Sequence, residues 1–316
     1  MIVTLTANPS VDRTLEIPTL ARGEVVRANA ARVHPGGKGV NVARALMANG
    51  VAARAVLPSG GREGDQLMDL LAALGMDVVA VPIAEPIREN VTAVEPDGTV
   101  TKLNAPGPRL SLAEAEALVE ATLEAARGAD WVALCGALPP GAPQDLYARL
   151  VSRLRSTGVR VAVDTSGAAL EVSVDAGPDL VKPNAQELEE VVGYPIRTLG
   201  DVLDGARGLL DRGVGQVLVS LGRDGALSMS DAVALRAWTP PLVPRSSVGA
   251  GDATLAGFLA ADGVIPEALR AAVAWGAAAV QLPGTGLPGP SDIAIDQVEV
   301  EELDAGRPRE QTRRIG

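Results

Sequence analysis

The chain has one cysteine and one histidine, and so little of the two side chains that most often build metal and redox centres. Cys135, being alone, excludes an intramolecular disulfide and any multi-cysteine metal site. His34, being alone, excludes every two-histidine metal motif. Aromatic residues make up only 2%, so a core must be assembled from alanine, valine and leucine. Lysine is nearly absent too: of 28 basic residues only Lys38, Lys102 and Lys182 are lysines. Basic residues are outnumbered by 39 acidic ones, for a net charge of −11. That balance argues against nucleic acid or an anionic membrane surface as a partner. The apolar stretch Ala271–Val280 is too short to span a bilayer. The opening Met1–Pro9 has neither the basic start nor the long apolar run of a signal peptide. A soluble, cytoplasmic protein is expected. What is abundant is hydrophobic content, 47% over 316 residues, enough for one large α/β domain or two ordinary ones.

Apolar runs at Met1–Thr6, Ala53–Pro58, Val78–Val81, Trp131–Cys135, Arg160–Asp164, Leu180–Lys182, Val217–Ser220 and Gly225–Ser228 read as strands. Helical periodicity marks Val40–Asn49, Asp65–Leu74, Ser111–Ala126, Gln144–Ser156, Ala185–Val192, Leu199–Asp211, Ala253–Ala261 and Glu267–Gln281. Alternation of this kind predicts an α/β fold, a mostly parallel sheet with helices on both faces. Four segments break the rhythm. Val11–Ile17 and Glu24–Val33 alternate polar and apolar residues, and Arg88–Glu95 with Thr99–Asn104 flanks the turn Pro96-Asp97-Gly98. Having no helices between them, they should form a small separate β-sheet, a lid built from about residues 11–34 and 87–105. The charged tail after Asp304 is expected to fray.

Three loops carry chemistry. In Val248-Gly249-Ala250-Gly251-Asp252 a small-residue loop runs into an apolar helix. Backbone amides at Gly249, Ala250 and Gly251 can converge on an anion there. Asp252 is a general base for an attacking hydroxyl or a first-turn acid that caps the helix, and spacing alone leaves both open. Pro35-Gly36-Gly37-Lys38-Gly39-Val40-Asn41 is no Walker loop, since no Ser or Thr follows Lys38. It still sets a glycine turn, an ammonium and an amide at a helix start. In Lys182-Pro183-Asn184-Ala185-Gln186-Glu187 a strand ends at Lys182. Asn184 and Glu187 then form a capping box or lie beside hydrated Mg²⁺.

Taken together these segments resemble the ribokinase-like (PfkB) carbohydrate kinases over nearly the whole chain, as a single kinase domain, 1–316. Gly36–Asn41 and Val248–Asp252 match the family's two signatures in order. The resemblance implies a Rossmann-like domain with a β-sheet lid, ATP and Mg²⁺, and transfer of the γ-phosphoryl group to a sugar hydroxyl. It makes Asp252 the base and Gly249, Ala250 and Gly251 the anion hole. Lys182, Asn184, Ser220, Gly222 and Gly225 would line the nucleotide, and Asn184 with Glu187 the metal. Asp12, Gly37 and Asn41 would hold the sugar. Arg27, Lys38 and Arg88 offer cations for a sugar phosphate. The opening Thr6–Asp12 is similar to the branch acting on phosphorylated hexoses, and Lys102–Pro108 to its 1-phosphofructokinases. The implied reaction converts fructose 1-phosphate, a phosphorylated ketohexose, to fructose 1,6-bisphosphate. The near alternatives are a 6-phosphofructokinase or a tagatose-6-phosphate kinase. A neutral-sugar or nucleoside kinase and a silent sugar-phosphate sensor are weaker readings. Ala137 stands where that branch carries serine. The lid's alternating strands should leave one face apolar, which predicts a homodimer joined through the lids.

Overall fold

The computed structural model describes residues 1–316 except 247, 283–285, 305, 307–311 and 316. The chain opens with β1 (Ile2–Thr6), β2 (Ser10–Glu16), β3 (Ala30–Gly36), α1 (Lys38–Ala48), β4 (Ala53–Ser59), α2 (Gly61–Ala73) and β5 (Asp77–Pro82). Next come β6 (Arg88–Val94), β7 (Val100–Leu103), α3 (Leu112–Ala125), β8 (Trp131–Cys135), α4 (Leu146–Leu154), β9 (Arg160–Asp164) and α5 (Gly167–Asp175). The rest is β10 (Leu180–Val181), α6 (Ala185–Val192), α7 (Leu199–Asp211), β11 (Val217–Ser220), β12 (Ala226–Met229), β13 (Ala234–Trp238), α8 (Ala250–Ala260), α9 (Glu267–Val280) and β14 (Glu299–Glu302).

Among the described residues these strands make two sheets. The larger has ten strands in the order β14-β13-β12-β11-β10-β9-β8-β1-β4-β5, parallel from β5 to β11 and antiparallel beyond. Its inner strands are buried on both faces, unlike the edge strands β5 and β14, and the faces differ in residue size. Val3, Leu5, Val132, Leu134, Val161 and Val163 pack with α3 to α7. On the other face, under α1, α8 and α9, the central positions Ala55, Ala133, Cys135 and Ala162 are small, with larger Ile2, Trp131, Leu180 and Leu218 around them. Small residues on one face let helices approach closely, which is how the core closes with so few aromatics. Three elements were not expected from the sequence: α5, β13 and β14. The edge strand β14 is Glu-Val-Glu-Glu, too polar to signal a strand, as suits a sheet edge.

The smaller sheet is the lid, ordered β3-β2-β6-β7. Its hairpin turns at the expected place, where Gly98 has φ +89° and Asp97 accepts from Thr99 N at 2.9 Å. The expected strand Glu24–Val33 is corrected: pairing begins only at Ala30, opposite Glu16. β2 ends at Glu16, so residues 24–29 have no strand to pair with and form a loop. Arg27 therefore sits on an exposed loop, not a lid strand. The tail also departs from expectation in part. Ile315 N donates to Arg197 O at 3.0 Å, and Arg313 O accepts from Leu199 N at 3.0 Å. Other residues of the tail lie outside those described. No helix among the described residues is long and apolar enough to cross a membrane.

Candidate active site

Chain order along the larger sheet reverses between β1 and β8, the kind of switch point above which α/β sheets bind ligands. The strand ends there carry the charges. Asp164 closes β9 and is fully buried, and Lys182 follows β10 and is 3% exposed. Asp164 Oδ2 lies 3.1 Å from Lys182 Nζ, and its Oδ1 accepts from Lys38 Nζ at 2.7 Å. Lys38 enters from the first residue of α1 and also lies 3.6 Å from Glu187 Oε1. Burial alone would raise the pKa of Asp164, but Lys182 and Lys38 hold it below the ordinary carboxylate value. Burial works against the charged form of Lys38 too, yet Asp164 and Glu187 carry its pKa above the usual lysine value. A carboxylate clamped between two lysines was missed from sequence. Its signal was there in Val161-Ala162-Val163-Asp164, a lone acid ending a buried strand.

Asp252 behaves in the opposite way. It lies in the first turn of α8, 8% exposed. Burial, then the negative charge of Asp164, pushes its pKa up to about 6. Against them stand a hydrogen bond from Asn41 Nδ2 to Asp252 Oδ2, 2.9 Å long, and the two lysines. The cap reading fails here: the N-cap is Gly249, and among the described residues no side chain caps α8. Gly249 has φ +79°, a left-handed backbone that glycine adopts without strain. The first N–H groups of an α-helix have no partner within it, so those of Ala250 and Gly251 remain for an anion. Lys182 adds charge to that cradle: a Cβ built on Gly251 would sit 3.6 Å from its Nζ.

The capping-box reading of Asn184 and Glu187 holds. Glu187 N donates to Asn184 Oδ1 at 2.8 Å, and Asn184 N to Glu187 Oε2 at 2.9 Å. One carboxylate oxygen of Glu187 is left outside the box, the one facing Lys38. Asn184, Ser220 and Gly222 line a cleft of about 310 Å³ with Ala185, Gln186, Ile196, Leu221 and Ile315. Ile196 and Ile315 carried no signal in sequence, because the tail folds back to reach them. Gly225 is not in that lining. A Cβ there would lie 1.9 Å from Ala237 O, so the glycine lets β13 pass.

Over the floor hangs the lid. Asp12 Oδ1 accepts from Ser10 Oγ at 2.7 Å and from Asn90 Nδ2 at 2.9 Å. Arg88 donates to Asn8 O at 3.0 Å and Ala105 O at 3.1 Å. Its Nε is buried, with no partner among the described residues. Arg44, missed from sequence, lies half-buried on α1 and donates at 3.4 Å to Asn41 Oδ1. The structure thus brings Lys38, Asn41, Lys182, Glu187 and Asp252 together, holds Asp12 and Arg88 in the lid, and leaves Arg27 apart.

The pfkB family carbohydrate kinase pattern matches residues 5–292. The chain belongs to that family. A 1-phosphofructokinase of Rhodobacter capsulatus is 39% identical to it over 300 residues, covering 93% of this chain and 94% of that one. An ATP-dependent 6-phosphofructokinase isozyme 2 of Escherichia coli K12 is 36% identical, covering 90% and 94%. The crystal structure of Escherichia coli phosphofructokinase-2 with substrates and products superposes with a TM-score of 0.86, at 34% identity over 92% and 96%. The fold is ribokinase-like, and the protein is a phosphotransferase acting on a sugar hydroxyl.

Proposed function

We propose that this kinase transfers the γ-phosphoryl group of ATP to O6 of fructose 1-phosphate, giving fructose 1,6-bisphosphate and ADP. The observation that carries the reading is Asp252: a buried carboxylate, poised at about 6, beside an uncapped helix N-terminus. A pKa near the working pH suits a general base. Asp252 takes the proton from O6, O6 forms a bond to the γ-phosphorus, and the bond to the β-phosphate oxygen breaks. The amides of Ala250 and Gly251, with Lys182, stabilise the charge on the transferring group. The triphosphate fits this cradle, which presents donors and a cation and no cap. Asn184, Ser220 and Gly222 take the rest of the nucleotide. Bound Mg²⁺ would neutralise charge on the phosphates. Glu187 suits it through its carboxylate oxygen outside the capping box. Asn184 suits it less, since its oxygen already accepts from Glu187 N. Such an ion is held mainly by phosphate oxygens and water.

Asp12 holds sugar hydroxyls, Gly37 lets them approach α1, and Arg88 and Lys38 meet the phosphate already on the sugar. A neutral sugar does not need these cations. Ala137 in place of serine keeps fructose 6-phosphate and tagatose 6-phosphate as competing acceptors. Initial rates of ATP consumption with the three sugar phosphates and with fructose test the reading. Fructose 1-phosphate should give the highest kcat/KM, and a preference for fructose would overturn it.

A cytoplasmic setting, where ATP is plentiful, suits this reaction. Two copies join through their lids. On the lid face opposite Asp12, strand alternation sets Leu15, Val33, Val91, Ala93 and Leu103 beside the Arg13–Glu89 ion pair, and Leu103 is 65% exposed. A small sheet cannot bury such a face alone. Light scattering at micromolar concentration should report a dimer, and an active monomer would contradict it.

A further inference from the structure

We propose that Asn90 is a positioning residue for the sugar acceptor, one that aims the Asp12 carboxylate by binding one of its two oxygens. The inference rests on the reading that Asp12 holds sugar hydroxyls. Asn90 stands beside Asp12 in the parallel β2–β6 pair. Its Nδ2 donates to Asp12 Oδ1 at 2.9 Å, and its Oδ1 accepts from Ala105 N at 3.2 Å. Those two neighbours fix which way the amide faces. Turned over, it would set oxygen against carboxylate and N–H against N–H. Ser10 Oγ binds the same Asp12 oxygen at 2.7 Å, so Oδ1 is fully engaged.

The other oxygen, Oδ2, has no such donor among the described residues. A Cβ on Gly36 would lie 2.3 Å from it and 2.5 Å from Ser10 Oγ, so the glycine lets the Asp12 carboxylate and its Ser10 partner pack close against the turn that leads into α1. One oxygen is held and one is left for substrate. Asn90 also links that aim to the lid's return segment, because Arg88 holds the carbonyl of the same Ala105 whose N–H Asn90 binds. Asn90 touches neither reacting atom; it acts through Asp12.

Asn90→Ala and Asn90→Asp separate this role from a purely structural one. Aspartate keeps the shape and the acceptor for Ala105 N, but replaces the donor facing Asp12 with a second carboxylate. Both variants, with Asp12→Asn as control, are titrated calorimetrically with fructose 1-phosphate and with a non-hydrolysable ATP analogue. Losing one hydrogen bond to a charged group corresponds to about a tenfold change. Both Asn90 variants should bind the sugar phosphate about tenfold or more weakly, aspartate at least as weakly as alanine. Affinity for the ATP analogue should stay within about twofold of the parent. Sugar-phosphate binding by the aspartate variant at the parent level would overturn the proposal, whatever alanine does. Should the alanine variant fail to fold, the isosteric aspartate variant carries the test. Parental sugar binding by Asp12→Asn, with ATP turnover intact, would show that Asp12 is no sugar ligand. The role of Asn90 would fall with that, while the kinase reading would stand.

Discussion

At the ends of the large sheet, charged side chains are buried and answer one another. Asp164 is wholly buried between Lys38 and Lys182, and Asp252 is 8% exposed beneath Asn41. In the lid, the polar groups are half-buried and lean on backbone as well as on one another: Arg88 on two carbonyls, Asn90 on the N–H of Ala105 and on Asp12. The floor rests on two packed helical layers and can hold charges at fixed distances, as phosphoryl transfer requires. A four-stranded sheet with one polar face cannot bury charges so deeply. It positions them through short hydrogen bonds to strands and to the segments that join it to the floor. On this account the floor performs the chemistry and the lid selects the sugar.

The largest expected effect belongs to the floor. Asp252→Asn keeps the shape and the hydrogen bond from Asn41 but loses the base, so kcat should fall by roughly two to four decades. Stability should move the other way. The folded pKa of about 6 lies above the ordinary carboxylate value, so the folded protein holds the proton more tightly than the unfolded chain. The charged form therefore weakens the fold above pH 6, and the penalty fades as pH falls towards 4. Removing that charge should stabilise the protein at pH 7 by on the order of 2 kcal/mol, read by denaturant unfolding. A variant both less active and less stable would break the contrast with Asp164.

Asp164→Asn should do the reverse. Its pKa is depressed, so its contribution is present above the ordinary carboxylate value and is lost as pH falls through the folded one. Leaving Lys182 buried without its partner should cost about 3–5 kcal/mol. Unfolding curves within about 0.5 kcal/mol of the parent would show that the clamp is dispensable.

In the lid, Arg88→Ala should lower kcat/KM for the sugar phosphate about ten- to a hundredfold, with KM for ATP barely changed. A loss falling on ATP instead would erase the division between lid and floor. Both constants within about twofold of the parent would show that Arg88 does not meet the sugar phosphate.

The floor was legible in sequence because each of its parallel strands is an apolar run, and because glycine loops at Gly36–Asn41 and Val248–Asp252 mark where the chain turns into helices. The lid was legible from alternation and from Asp97-Gly98. The limits of β3 were not, since alternation continues from Glu24 whether or not a partner strand is present, and β2 ends at Glu16. β14 escaped because it lies at the antiparallel edge, where Glu299 to Glu302 carry little apolar pattern. Residues whose roles depend on neighbours distant in sequence left the least trace. Asp164 gains its meaning from Lys38 and Lys182, Asn90 from Asp12 and Ala105, and Ile315 from a tail that returns to Arg197.

The central claim, that a buried Asp252 takes the proton from the sugar hydroxyl, is tested most directly in the unmodified protein. Single-turnover phosphoryl transfer to fructose 1-phosphate is measured from pH 5 to pH 8 with both substrates saturating. The base works only when deprotonated, so the rate should rise about tenfold per pH unit below about pH 6 and level off above it. A transfer rate that stays flat across that range, with the protein folded throughout, would contradict the assignment.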